Sequence, residues 1–131
     1  MYLLGLGSNI NPQDNLAEAI RLLNNYGVVR LTSPALETAP VGQSFHHSFM
    51  NQLVIFDCDL LPNLLKIRLQ KTETQLGREA KNPARKDKDR TIDIDILYQG
   101  NSEHDCLHAE LEDSYNQQVQ SHWLQQLQLN Y

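Results

Sequence analysis

Cysteine is scarce: the 131 residues hold only Cys58 and Cys106. Their separation matches no metal-binding or redox motif, so the chain is not built on staples, and free thiols in a reducing cytoplasm are expected. A single disulfide between the two stays open at this point. Long apolar runs are also missing, and none approaches the roughly 20 residues a membrane helix needs. The opening MYLLGLGSN is apolar but has no basic flank and runs straight into turn residues, so no signal peptide is expected. There is no internal repeat and no low-complexity tract. Positive charge is short overall, with a formal net charge of −5, which argues against general nucleic-acid binding. No Lys or Arg occurs after Arg90. Hydrophobic content of 40% and charged content of 21% fit one soluble domain large enough for its own core.

The chain is organised around Asp89-Arg90-Thr91-Ile92-Asp93-Ile94-Asp95-Ile96-Leu97. As a strand it puts Ile92, Ile94 and Ile96 on one face and Thr91, Asp93 and Asp95 on the other. Asp is depleted in strands, and two carboxylates about 6.6 Å apart along one face repel unless a cation separates them. Mg²⁺ suits such a pair because it takes hard oxygen ligands and keeps positions for water and substrate phosphates. A half-solvated strand with acids on its wet face explains the alternation equally well. Beside the pair lies a basic segment with Arg78, Lys81, Arg85, Lys86, Lys88 and Arg90, which are six of the eleven Lys and Arg residues. An acidic protein with one basic segment next to an acidic pair suggests a small polyphosphate and its metal.

In chain order, Tyr2 to Leu6 reads as a buried strand that ends in Gly7-Ser8-Asn9. Asn11-Pro12-Gln13-Asp14 starts a helix with Asn11 as cap; Leu16, Ile20 and Leu23 form its stripe, and Gly27 is its stop. Val28 to Glu37 reads as a strand in which Pro34 requires an edge position or a bulge. A connection bearing His46 and His47 leads to a strand at Phe49 to Phe56, with Phe49, Asn51, Leu53 and Ile55 on one face. Asn51 among apolar neighbours needs partners for its amide, from a loop or a ligand. Asp59 caps a second helix with Pro62 in its first turn; Leu61, Leu65, Leu69, Thr72 and Leu76 form its stripe, Gln70 and Glu73 its flank, and Gly77 its end. The order β-α-β-β-α-β is the ferredoxin-like pattern of an α+β fold, an antiparallel sheet with both helices on one face. Beyond it, Asn101 to Asp105 is turn-like, and Glu110 to Leu127 reads as one polar helix with Leu111, Tyr115, Val119, Trp123 and Leu127 four apart.

These residues together resemble the 6-hydroxymethyl-7,8-dihydropterin pyrophosphokinases, folate-pathway enzymes that move pyrophosphate from ATP to a pterin alcohol. The resemblance runs from about Leu3 to Leu97, with its pieces in order. Leu6-Gly7-Ser8-Asn9 is similar to the family's opening turn, and Glu37-Thr38-Ala39-Pro40-Val41-Gly42 to its pterin loop. Phe49-Met50-Asn51 matches the aromatic-x-Asn that contacts pterin, and Arg90 to Asp95 the signature itself. The resemblance implies that Thr38, Val41, Phe49 and Asn51 bind the pterin. It implies that Gln70, Glu73, Arg78 and Arg90 bind the nucleotide. Asp93 and Asp95 would hold two Mg²⁺, with Asp95, Arg78 and Arg90 acting in catalysis and the loop from Glu79 to Asp89 closing over ATP. The expected partners are these small molecules, with no nucleic acid or membrane.

The chain departs from that pattern at two places. Asp87-Lys88-Asp89 stands where family members often carry Trp-x-Pro. After Leu97 there is no counterpart of the usual Pro-His segment beyond Leu107-His108-Ala109-Glu110, and no Arg-x-Phe, so a family-like core at 1–98 is followed by a divergent tail at 99–131. Two main readings are compatible with this, a compact pyrophosphokinase or a diverged relative that binds a pterin, nucleotide or protein partner without transfer. Phosphotransfer to another alcohol is a third. In the tail, Trp123 and Tyr115 are the aromatic candidates to replace the missing cover.

Overall fold

The computed structural model describes residues 1–38, 49–77 and 92–129. Five antiparallel strands, β1 (Tyr2–Ser8), β2 (Val28–Thr32), β3 (Leu36–Thr38), β4 (Phe49–Asp57) and β5 (Asp93–Gln99), form one sheet. Its order is β2-β4-β1-β5, with β3 also paired to β4. Helices α1 (Pro12–Leu23) and α2 (Pro62–Gln75) follow β1 and β4, and α3 (Glu103–Leu107) and α4 (Ser114–Leu129) complete the chain. The ferredoxin-like core expected from the sequence is therefore present. Among the described residues no helix is long and apolar enough to cross a membrane, and both Cys58 and Cys106 are free.

Alternation along the strands creates two cores, because paired residues share a face and each face is apolar over part of its length. Tyr2, Leu4 and Leu6 of β1, Val54 and Phe56 of β4, and Ile92 and Ile94 pack against Leu16, Ala19 and Leu23 of α1 and Leu65 and Leu69 of α2. On the opposite face Leu3, Leu53 and Ile55 pack against Cys106, Ala109, Val119 and Trp123 from the tail. The sheet is thus covered on both sides, α1 and α2 on one face as expected and the tail on the other.

Several local expectations shift. Val28 to Glu37 is two strands, broken where Ser33 and Pro34 intervene, and β2 is an edge strand with a register shift between Val29 and Leu31. This is how an edge tolerates proline. Asn11 does precede α1, but it sits in the left-handed region (φ 41°) and makes no side-chain cap bond. Asn is among the few residues that adopt this conformation readily. The helix ends at Leu23, ahead of Gly27. Gly27 is needed for packing instead: a Cβ there would collide with the Phe56 ring and lie 2.7 Å from the Asp57 carbonyl. Leu61, not Asp59, is the N-cap of α2, and it is exposed rather than part of the stripe. Gly77 does end α2, with φ 98°. In the tail, Glu103–Leu107 is a short helix capped by Ser102, whose hydroxyl accepts from the Asp105 amide at 3.1 Å.

Candidate active site

The two glycines of the central strand decide which side chains meet on the tail-side face of the sheet. Gly7 pairs with Asn51 on one side and Asp93 on the other, and Gly5 pairs with Leu53 and Asp95. Asn51, Gly7 and Asp93 therefore form one row across the sheet, on the tail-side face, and Leu53, Gly5 and Asp95 form the next. With no side chain between them, Asn51 and Asp93 flank a trough two strand spacings wide, roughly 9.6 Å. Gly7 is also needed for that width, since a Cβ there would lie 2.9 Å from Asn51 Oδ1.

Asn51 and Thr38, two of the residues expected to bind pterin, are brought together on this face. Both are buried, and Asn51 Nδ2 donates to Thr38 Oγ1 at 2.5 Å. Phe49 pairs with Thr38 at the end of β4 and comes within 3.8 Å of the Gly7 Cβ position. The amide of Asn51 is thereby held at a fixed angle, with its Oδ1 over Gly7.

Across the trough, Asp93 is half-buried and Asp95 exposed, on the face opposite Ile92 and Ile94. Gln70 is exposed, whereas Glu73 is 3% exposed. Glu73 Oε2 accepts the backbone N–H of Ile94 at 2.8 Å. This N–H lies between the two aspartates, on the strand with no further neighbour in the sheet order. The Glu73 carboxyl so satisfies an edge donor and fixes the strand that carries the pair. Glu73→Leu is expected to orphan that N–H at a cost of about 1–3 kcal/mol, lowering the urea midpoint. Glu73→Gln, which keeps an acceptor, is expected to stay near the wild-type midpoint.

The tail closes the inner end. A register shift between Leu3 and Leu4 in the pairing of β1 with β5 turns Leu97 onto Gly5, 2.9 Å from its Cβ position. Asn116 of α4 reaches the same glycine, with Oδ1 3.4 Å away. Tyr115 donates to Asp113 Oδ2 at 3.2 Å. Burial first, then the charge of Asp113 and its hydrogen bond, then the charges of Asp95 and Asp93, push its phenol up to about 12. Its hydroxyl is thus a neutral donor within electrostatic reach of the carboxylate pair. Sequence reasoning named Tyr115 but missed Asn116, which nothing in a Gln-rich tail distinguishes. Trp123, the other aromatic candidate, lies in the core. Val41, Arg78, Arg90, His46, His47 and the loop from Glu79 to Asp89 lie outside the described residues.

Comparison with known proteins meets this geometry directly. The profile of the 7,8-dihydro-6-hydroxymethylpterin-pyrophosphokinase family matches residues 3–125. The chain belongs to this family. The match extends past Leu97 into α4, so the tail is part of what the pyrophosphokinase profile covers. Among relatives, the "Folate synthesis bifunctional protein" of Arabidopsis thaliana is 37% identical over 99 residues, 74% of this chain and 20% of that protein. A "2-amino-4-hydroxy-6-hydroxymethyldihydropteridine pyrophosphokinase" of Porphyromonas gingivalis is 35% identical over 96 residues, 72% of this chain and 65% of the relative. One of the same name from Haemophilus influenzae is 31% identical over 101 residues, 75% and 61% of the two chains. The chain thus spans less than two thirds of each of these pyrophosphokinase relatives.

Proposed function

We propose that this chain transfers pyrophosphate from ATP to 6-hydroxymethyl-7,8-dihydropterin, a step of folate synthesis that releases AMP. The observation that carries the reading is the trough itself: the fixed Asn51–Thr38 pair lies across Gly7 from Asp93, with Asp95 in the next row of the same face. A flat, polar-edged ring fits between such walls, its edge read by the Asn51 amide and Phe49 beside it.

The donor set fits Mg²⁺. Two carboxylates two residues apart on one strand face give hard oxygen ligands, the kind Mg²⁺ takes while keeping positions for waters and phosphate oxygens. Bound there, Mg²⁺ supplies charge neutralisation on the triphosphate and favours ionisation of an attacking alcohol. The remaining chemistry is positioning. The pterin hydroxyl oxygen forms a bond to the β-phosphorus, the bond from that phosphorus to the α,β-bridging oxygen breaks, and AMP leaves with that oxygen. Asn51 and Thr38 hold the ring so that its hydroxymethyl group reaches toward Asp95. Arg78 and Arg90, at the family's motif positions in the sequence, offset charge on the phosphates. Gln70 on α2 contacts the nucleotide, while Glu73 holds β5. A cytoplasmic setting, where ATP is available and thiols stay reduced, belongs to the same proposal.

The test is AMP formation from ATP and Mg²⁺ with and without the pterin alcohol. Pterin-dependent AMP is expected; a folded protein that releases none, at any pterin concentration, overturns the reading.

A further inference from the structure

Asn116 is the residue of the inner wall with no evident structural task. It is 4% exposed, in the first turn of a 16-residue helix. Among the described residues its carboxamide has no hydrogen-bond partner, yet no fully buried polar side-chain atom there lacks one. The amide atoms are therefore not fully sealed from solvent. Their place is set by Gly5, which Asn116 Oδ1 approaches to 3.4 Å from the Cβ position, and Gly5 is the register partner of Asp95. The charges of Asp95 and Asp93 also contribute to raising the phenol of Tyr115, the preceding residue. Nearly buried amides are ordinarily paired. One left open beside a ligand site is paired by the ligand.

We propose that Asn116 contacts the substrate: its carboxamide hydrogen-bonds the hydroxyl of the acceptor alcohol beside Asp95, and so selects the hydroxymethylated ring over the same ring without a hydroxyl. This rests on the pyrophosphokinase reading above. Asn116 meets β1 at Gly5, two residues along the strand from Gly7, the register partner of Asn51. Asn51 then reads the ring and Asn116 the reacting group. The carboxamide suits this because it carries both a donor and an acceptor, and engages the hydroxyl whichever way its proton points. The tail of this chain, which has no arginine, thereby contributes a neutral polar contact at the point of reaction.

The experiment is calorimetric titration of the full chain, with Mg²⁺ and a non-hydrolysable ATP analogue present. The ligands are 6-hydroxymethyl-7,8-dihydropterin and 6-methyl-7,8-dihydropterin. Asn116→Leu, close in shape but apolar, is expected to weaken binding of the hydroxymethyl compound about fivefold to tenfold and to leave the methyl compound unchanged. Equal weakening of both, or of neither, overturns the proposal, because a purely structural role does not discriminate between them. If Asn116→Leu lacks a cooperative melting transition, Asn116→Ala takes its place; if both fail to fold, Asn116 is structural and the proposal falls. A wild-type protein that binds neither pterin overturns the pyrophosphokinase reading itself, and the inference with it.

Discussion

Asp95→Ala is expected to lower pterin-dependent AMP formation by about a thousandfold, which corresponds to about 4 kcal/mol of transition-state stabilisation. The fold is expected to survive unchanged. Asp95 is exposed, on a strand at the edge of the sheet order, and its side chain belongs to neither core. Substitutions at such positions ordinarily move stability by no more than about 0.5 kcal/mol. The same replacement is expected to remove the Mg²⁺ dependence of ATP binding, read by titration with and without the metal. Asp95→Asn keeps the shape and loses the charge, so it is expected to fall close to the alanine variant. Wild-type turnover by folded Asp95→Ala would remove the metal clamp from the account, leaving the trough as a binding site only.

The carboxylate pair was legible in the sequence because burying one face of a strand imposes a two-residue period, and Ile92, Ile94 and Ile96 display that period without a break. Asn51 was legible for the complementary reason, a polar residue in an otherwise apolar strand, and its Thr38 partner explains how it is tolerated. Pro34 marked an edge strand, although not the break that splits it. The links that hold the site together were not legible. Glu73 reaches Ile94 across 21 residues of sequence, and nothing local separates that glutamate from one on a solvated flank. Gly7 was read as the start of a turn and Gly5 passed unremarked within its strand, yet both sit inside a buried strand and set which side chains meet on this face. Ser102 and Asp105 carried a local capping signal for α3 that a turn-like composition concealed. The tail was hardest to read, because its polar residues are all plausible on a solvated helix and only packing sorts them.

Trp123→Ala measures that sorting. An aromatic in a divergent tail is a natural candidate for a cover over the pterin, but α4 places Tyr115 and Trp123 eight residues apart, about 12 Å along the helix axis. With Asn116 in the first turn of α4 at Gly5, Trp123 lies about two turns further along the helix. There it is 3% exposed, among Leu3, Leu53, Ile55, Cys106 and Val119. Truncating it is expected to cost about 3–5 kcal/mol, a large share of the roughly 5–15 kcal/mol that holds an ordinary domain together. The urea midpoint should fall accordingly, while pterin affinity of the fraction still folded stays that of the wild type. An unchanged midpoint with lost pterin affinity would make Trp123 a cover and refute its place in the core. The expected outcome assigns the tail two separate tasks on one helix: Trp123 and Val119 seal the second face of the sheet, and that seal holds Asn116 against Gly5 of the central strand.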